Sequence, residues 1–151
     1  MNDCIPIHSG QIWGEELPLI PAKKYEFGLI DYATKLMLGK NPKLVLRFKV
    51  LDYGDQFGVI LSKYYGVKKL AGKPGKYGGF IVGRKSNFLR DFLTLFPDQS
   101  VSRLDRIPMS RFQGVIITGQ VRTVTKGSNQ RRIPEPIQYS IIGDLLKIKT
   151  L

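Results

Sequence analysis

Lys43-Leu44-Val45-Leu46-Arg47-Phe48-Lys49-Val50-Leu51 decides the fold. Leu44, Leu46, Phe48 and Val50 fall on one side, and Lys43, Val45, Arg47, Lys49 and Leu51 on the other. Successive side chains of a β-strand leave opposite faces, so a period of two marks a half-buried strand. The apolar face needs a core. The opposite face carries three cations, which suits either a solvated outer surface or one that meets an anion.

Working outward, residues 25–32 form a second strand, with Tyr25, Phe27 and Leu29 on one face, and residues 58–65 a third. The signals Gly39-Lys40-Asn41-Pro42 and Asp52-Tyr53-Gly54-Asp55 mark the turns between them, giving a β-meander. Residues 33–42, with Lys35 and Lys40, read as the first loop. Residues 66–79 carry Lys68, Lys69, Lys73, Lys76 and Tyr77 on a Gly/Pro scaffold and read as a flexible basic loop. Gly75-Lys76 is followed by Tyr77 and not by Ser or Thr, so this is no phosphate-binding P-loop.

Residues 86–96 are the one clear helix. Phe88, Leu89, Phe92, Leu93, Leu95 and Phe96 recur at three- and four-residue spacing, Ser86 or Asn87 supplies the cap, and Pro97 ends it. Such a helix plugs the end of a sheet. A connector over 97–111 follows, with Arg103 and Arg106 set against Asp105. Residues 112–125 are a long β-branched strand with Gly114 and Gly119 at bends, residues 126–132 a basic loop, and residues 137–142 a fifth strand. Residues 143–151 form a short terminal helix or strand.

Three strands, a helix and two strands is the element order of the OB-fold, a five-stranded Greek-key barrel. The expected architecture is therefore mainly β: an OB-like barrel over residues 22–151 with one helix between strands three and four, preceded by an arm over residues 1–21. The arm holds Asp3, Glu15 and Glu16 with no Lys or Arg. It is broken by Pro6, Gly10, Gly14, Pro18 and Pro21, and its apolar residues are suited to packing on the body or recruiting a protein partner.

The chain has 151 residues, 42% apolar content and a net charge of +12. That suffices for one domain with a real core, and the excess charge attracts polyanions. Residues 21–85 alone hold a net +10, against −3 over residues 1–20. A single cysteine, Cys4, precludes an internal disulfide. No signal peptide or membrane-spanning stretch is visible, so an intracellular, membrane-free protein is expected.

The four regions an OB barrel uses for oligonucleotides are all basic. Strand two offers Arg47 and Lys49, and strand three Lys63 and Tyr65. The first loop offers Lys35 and Lys40, and the last Lys126, Arg131 and Arg132. The expected nucleic-acid contacts are these together with Lys68, Lys69, Lys73, Lys76, Tyr77 and Arg122. Cations replace counterions along phosphates, and flat rings stack unpaired bases. Tyr64 and Tyr65 must face opposite ways; Lys63 shares a face with Tyr65, which selects Tyr65, with Tyr77, as the stacking pair. Tyr53 is a further stacking candidate.

In element order, charge and aromatics, residues 22–142 resemble the small OB-fold single-stranded DNA-binding proteins of phages and mobile elements. The resemblance implies non-sequence-specific binding of single-stranded DNA in replication, recombination or repair. It departs from the common bacterial pattern, whose acidic segment lies at the C-terminus. Choice between DNA and RNA turns on contacts to the 2′-hydroxyl. Homo-oligomerisation through the arm or the apolar C-terminus also fits.

Little points to catalysis or to a bound cofactor. His8 and Cys4 are the sole residues of their kinds, too few for a zinc site or a built thiol nucleophile. A metal-dependent nuclease needs grouped carboxylates, and Asp52 and Asp55, with Asp31 and Asp105, are the nearest set. A duplex-binding protein and a protein-interaction module would use the same basic face.

Overall fold

A computed structural model describes residues 17–127 and 130–149. The chain is mainly β, with one α-helix. Its strands are β1 (Lys24–Met37), β2 (Asn41–Val50), β3 (Ile60–Gly66), β4 (Lys69–Ala71), β5 (Gly75–Lys76), β6 (Gly79–Ile81), β7 (Ile117–Val124) and β8 (Tyr139–Ile148); the helix α1 spans Asn87–Leu95. The principal sheet is antiparallel throughout, in the order β3-β2-β1-β7-β8.

The alternating stretch is the middle of this arrangement. β2 pairs with β1 on one edge and β3 on the other. Leu44, Leu46, Phe48 and Val50 are all fully buried, and Phe27 meets Phe48 edge to face at 6.1 Å. The opposite face is less open than its cations suggest. Val45 on that face is also fully buried, and Arg47 is engaged by Asp31.

No backbone ladder joins β3 to β8, so the sheet is not closed by hydrogen bonds among the described residues. The two edges nonetheless meet. The Lys63 ammonium on β3 donates to the carbonyls of Ile142 (3.3 Å) and Gly143 (3.0 Å) on β8. Helix α1 packs against both strands. Ser86 caps it, its hydroxyl accepting from the Leu89 N–H at 3.1 Å. Phe88 packs on Tyr65 at 5.2 Å and on Phe80 at 5.7 Å, while Phe92 and Phe96 close on Phe112. The helix thus packs where the two edge strands, β3 and β8, meet.

Several expected boundaries move. β1 runs on to Met37, so residues 33–37 are strand and Lys35 stands on β1 directly opposite Lys43. The turn is only Leu38-Gly39-Lys40, with Leu38 and Gly39 both at positive φ. The basic stretch over residues 66–79 is not a flexible loop. β4 pairs with β6, and β5 pairs with β1 at Ala33↔Lys76 and Thr34↔Gly75. Its glycines permit this: a Cβ on Gly78 would collide with the Thr34 hydroxyl, and one on Gly79 would sit 2.9 Å from the Ala71 carbonyl oxygen.

The fourth strand begins only at Ile117, because residues 109–112 coil into a 3₁₀ turn that buries Phe112. The fifth runs unbroken through Gly143 to Ile148. Of the expected arm, residues 17–20 lie against β8. The Ser140 N–H donates to the Pro18 carbonyl at 2.8 Å, and Ile20 is buried with its N–H on the Ser140 hydroxyl. The acidic residues Asp3, Glu15 and Glu16, with His8, Cys4 and any partner-recruiting role of the arm, lie outside the described residues. Among the described residues no helix is long and apolar enough to cross a membrane.

Candidate nucleic-acid interface

Strand directions set the layout of the basic groups. β1, β3 and β8 run one way and β2 and β7 the other, so the β1–β2 turn and the end of β3 share one end of the sheet. The β7–β8 connection and the β2–β3 connection share the opposite end. At the first end stand Lys35, Lys40 and Lys43. The Val67 N–H donates to the Pro42 carbonyl at 3.2 Å, which brings Lys68 and Lys69 beside the start of β2. β5 carries Lys76 alongside β1, with Lys73 in the turn before it. The structure thus joins Lys35, Lys40, Lys68, Lys69, Lys73 and Lys76 at one end of the sheet. Lys43 of β2, directly opposite Lys35 of β1 and on the same face of the sheet, belongs with them; its place in the alternating stretch was the signal for it. Burial lowers the pKa of the Lys35 ammonium.

At the opposite end, the β7–β8 connection carries Lys126, Arg131 and Arg132. Lys126 and Arg132 face each other across an isolated bridge, and the Gly127 N–H donates to the Arg131 carbonyl at 2.9 Å. The β2–β3 connection carries two exposed rings: Tyr53, fully exposed, stacks with Phe57 at 6.4 Å and an interplanar angle of 20°. Lys49, directly opposite Ile60 on β3, places its ammonium 5.2 Å from the Phe57 centroid. Phe57 escapes a sequence reading because a lone Phe after a turn is usually core.

Four expected contacts are differently placed. Tyr65 is a core residue, 4% exposed, and its hydroxyl donates to Asp91 Oδ2 at 2.7 Å. It faces inward because it pairs with Leu44, so it cannot stack a base. Burial, then the Asp91 carboxylate, push its phenol far above the ordinary range. Lys63 lies on that same inner side, 5.0 Å from the Tyr65 ring, and its ammonium is spent on the β8 carbonyls; burial is the main cause of its lowered pKa. Arg47 gives both prongs of its guanidinium to Asp31, at 2.7 Å each, so its charge is balanced within the sheet. Arg122 is exposed on β7, opposite Ile141 of β8, with its side chain against Gly143, one of the two β8 residues whose carbonyls Lys63 reaches.

Tyr77, the other expected stacking residue, is exposed. It is 56% exposed, takes a positive φ of 57°, meets Tyr32 edge to face at 5.2 Å and has the Lys76 ammonium 5.4 Å from its centroid. A non-glycine residue in the left-handed region is uncommon and marks a site worth inspection.

Three of the four carboxylates of a nuclease reading, all but Asp55, are engaged by other groups. Asp31 holds Arg47, Asp105 holds Arg103 at 2.7 Å, and Asp52 accepts from the Glu26 N–H at 2.6 Å. Among the described residues no group of three or more His, Cys, Asp or Glu side chains is placed to hold a metal.

Comparison with known protein families, with curated proteins and with solved structures finds no match to this chain.

Proposed function

We propose that this protein binds single-stranded nucleic acid, DNA by preference, without reading its sequence along most of the site, and does so by binding alone. The fold would be an OB-type barrel whose β3–β8 seam is held by Lys63 and α1 in place of a ladder. The strand order β3-β2-β1-β7-β8, with its outer edges in contact, is the order such a barrel has when opened at that seam.

One observation carries the reading. The exposed rings of this surface sit beside lysine ammonium groups: Tyr77 beside Lys76 at one end, and Phe57, stacked on Tyr53, beside Lys49 at the other. Unpaired bases stack on such rings for about 1–3 kcal/mol each, and an adjacent cation meets the neighbouring phosphate. A buried ring serves packing alone, whereas an exposed ring with a cation at its face suits a ligand that is both flat and anionic.

In this account a strand crosses the outer face of β2 and β3 between the two basic ends. Lys35, Lys40, Lys68, Lys69, Lys73 and Lys76 hold phosphates at one end, and Lys49, Lys126, Arg131 and Arg132 at the other. A role in replication, recombination or repair of a phage or mobile element follows from the resemblance described above.

Competition binding tests the reading. A labelled single strand should bind, weaken steeply with salt, and resist displacement by duplex of equal length. Duplex winning the competition would indicate a double-strand binder, and co-purification with a protein in place of oligonucleotide binding would indicate an interaction module.

A further inference from the structure

β1 changes neighbours along its length. Its ladder with β7 ends at Phe27, and its ladder with β5 begins at Ala33. Between them the register with β2 shifts across Leu29 and Asp31, leaving Ile30 as the extra residue of a bulge. Bulges re-aim side chains and collect at functional sites. Here a pocket of about 250 Å³ opens at the bulge. It is bounded by Ile30, Tyr32 and Tyr77 and, from the 3₁₀ turn, by Ser110 and Phe112.

Three aromatic rings, with Leu29, Ile30 and Met109, make up most of its walls, and the size falls below the roughly 300–1,000 Å³ of sites for drug-sized ligands. It suits one planar ring system. Tyr77 is held at the mouth by its own backbone, whose N–H donates to the Tyr32 carbonyl at 2.9 Å. That bond accompanies its left-handed conformation, so the fold keeps a strained residue to place this ring. The sole charged residue lining the pocket is Asp31, which is 4% exposed. The Lys76 ammonium lies 3.8 Å from Asp31 Oδ2 and 5.4 Å from the Tyr77 ring, so carboxylate, ammonium and ring form one cluster.

We infer that this pocket is a nucleobase site, which takes one unpaired base with an exocyclic amino group against the Tyr77 ring. The inference rests on the single-strand reading above and adds a base preference to it. A carboxylate only accepts hydrogen bonds, and its two oxygens have lone pairs beyond the two that Arg47 engages. The amino groups of cytosine, adenine and guanine donate to it. Thymine and uracil offer a single ring N–H flanked by carbonyl oxygens, which the carboxylate repels. Lys76 then stands ready for the phosphate of the same nucleotide.

The test compares labelled oligo-dC and oligo-dT of equal length by anisotropy, on the unaltered chain and on two variants. Tyr77→Asn removes the ring with a residue that accepts a positive φ. Ser110→Trp starts from an exposed position on the turn and fills the mouth. One added hydrogen bond to a charged acceptor gives oligo-dC an advantage of about tenfold over oligo-dT. Ser110→Trp should bring that ratio to about one with salt-dependent binding of oligo-dT unchanged, and Tyr77→Asn should bring it to about one while weakening the binding of both oligomers. Equal affinity of the unaltered chain for the two oligomers, or a preference that survives both variants, overturns the pocket and leaves the single-strand reading standing. No binding to either oligomer overturns both.

Discussion

Arg47 and Asp31 face each other across the β1–β2 ladder, and both guanidinium prongs reach the carboxylate at 2.7 Å. Asp31 is almost wholly buried. A buried pair of this kind is a weak source of net stability, but breaking it is costly, because Asp31 then keeps only the longer contact to the exposed Lys76 ammonium at 3.8 Å. Arg47→Met should therefore destabilise the fold by about 3–5 kcal/mol, read as a lower urea midpoint. Asp31→Leu combined with Arg47→Met should recover most of that loss. A double variant as unstable as the single one would show that the pair's shape, and not its charge, holds this part of the sheet.

Tyr65 makes a second prediction, which separates packing from binding. Tyr65→Phe keeps the ring against Phe88 but removes the donor to Asp91. An unsatisfied buried acceptor costs about 1–3 kcal/mol, which the denaturant midpoint should show. Oligonucleotide affinity of the folded variant should not change, since the ring never reaches solvent.

The same residue sets a pH dependence. The folded phenol has its pKa raised above its ordinary value of 10.0, first by burial and then by Asp91. The unfolded chain therefore loses the Tyr65 proton near pH 10 while the folded chain keeps it. The stability linked to this group is present below that pH and declines as pH rises above it. Lys63, whose folded pKa is lowered, acts oppositely in the interval between its folded and unfolded values. Thermal melts at pH 9 to about 11 should show a less steep decline for Tyr65→Phe than for the unaltered chain, a comparison in which the Lys63 contribution cancels.

How much of this was legible in the sequence varies by element. The alternation of residues 43–51 and the Phe/Leu spacing of residues 86–96 specify β2 and α1, because each pattern is local and its face is fixed by burial. The phase of β3 was not legible. Lys63 beside Tyr65 suggests an outward face, yet Leu61 and Tyr65 point inward, and the lysine follows them to reach the β8 carbonyls. Nothing local announces a half-buried lysine whose partners lie 79 and 80 residues away. Likewise residues 66–79 have the composition of a loose loop. Their pairing depends on Thr34, Ala33 and two close-packed glycines, Gly78 and Gly79, that only the tertiary fold brings together. Tyr77 was legible as an exposed aromatic, but the pocket beneath it was not, since it arises from a bulge and a distant 3₁₀ turn.

The lysines beside β1 give a quantitative expectation. For single strands the slope of log affinity against log salt falls by about 0.7 for each phosphate contact removed. Lys73→Ala with Lys76→Ala should reduce the slope by roughly 1.4 on that basis. Arg122→Ala, on the β7–β8 pair, should leave it unchanged. An unaltered slope in the double variant would move the phosphate path off this end of the sheet.

The most direct measurement is an anisotropy titration with labelled oligo-dT at low and moderate salt, with duplex of equal length as competitor. The proposed interface predicts binding at low salt that weakens steeply as salt rises and survives the duplex. Absence of binding at low salt, or full displacement by duplex, would contradict it and assign the basic surface to another partner.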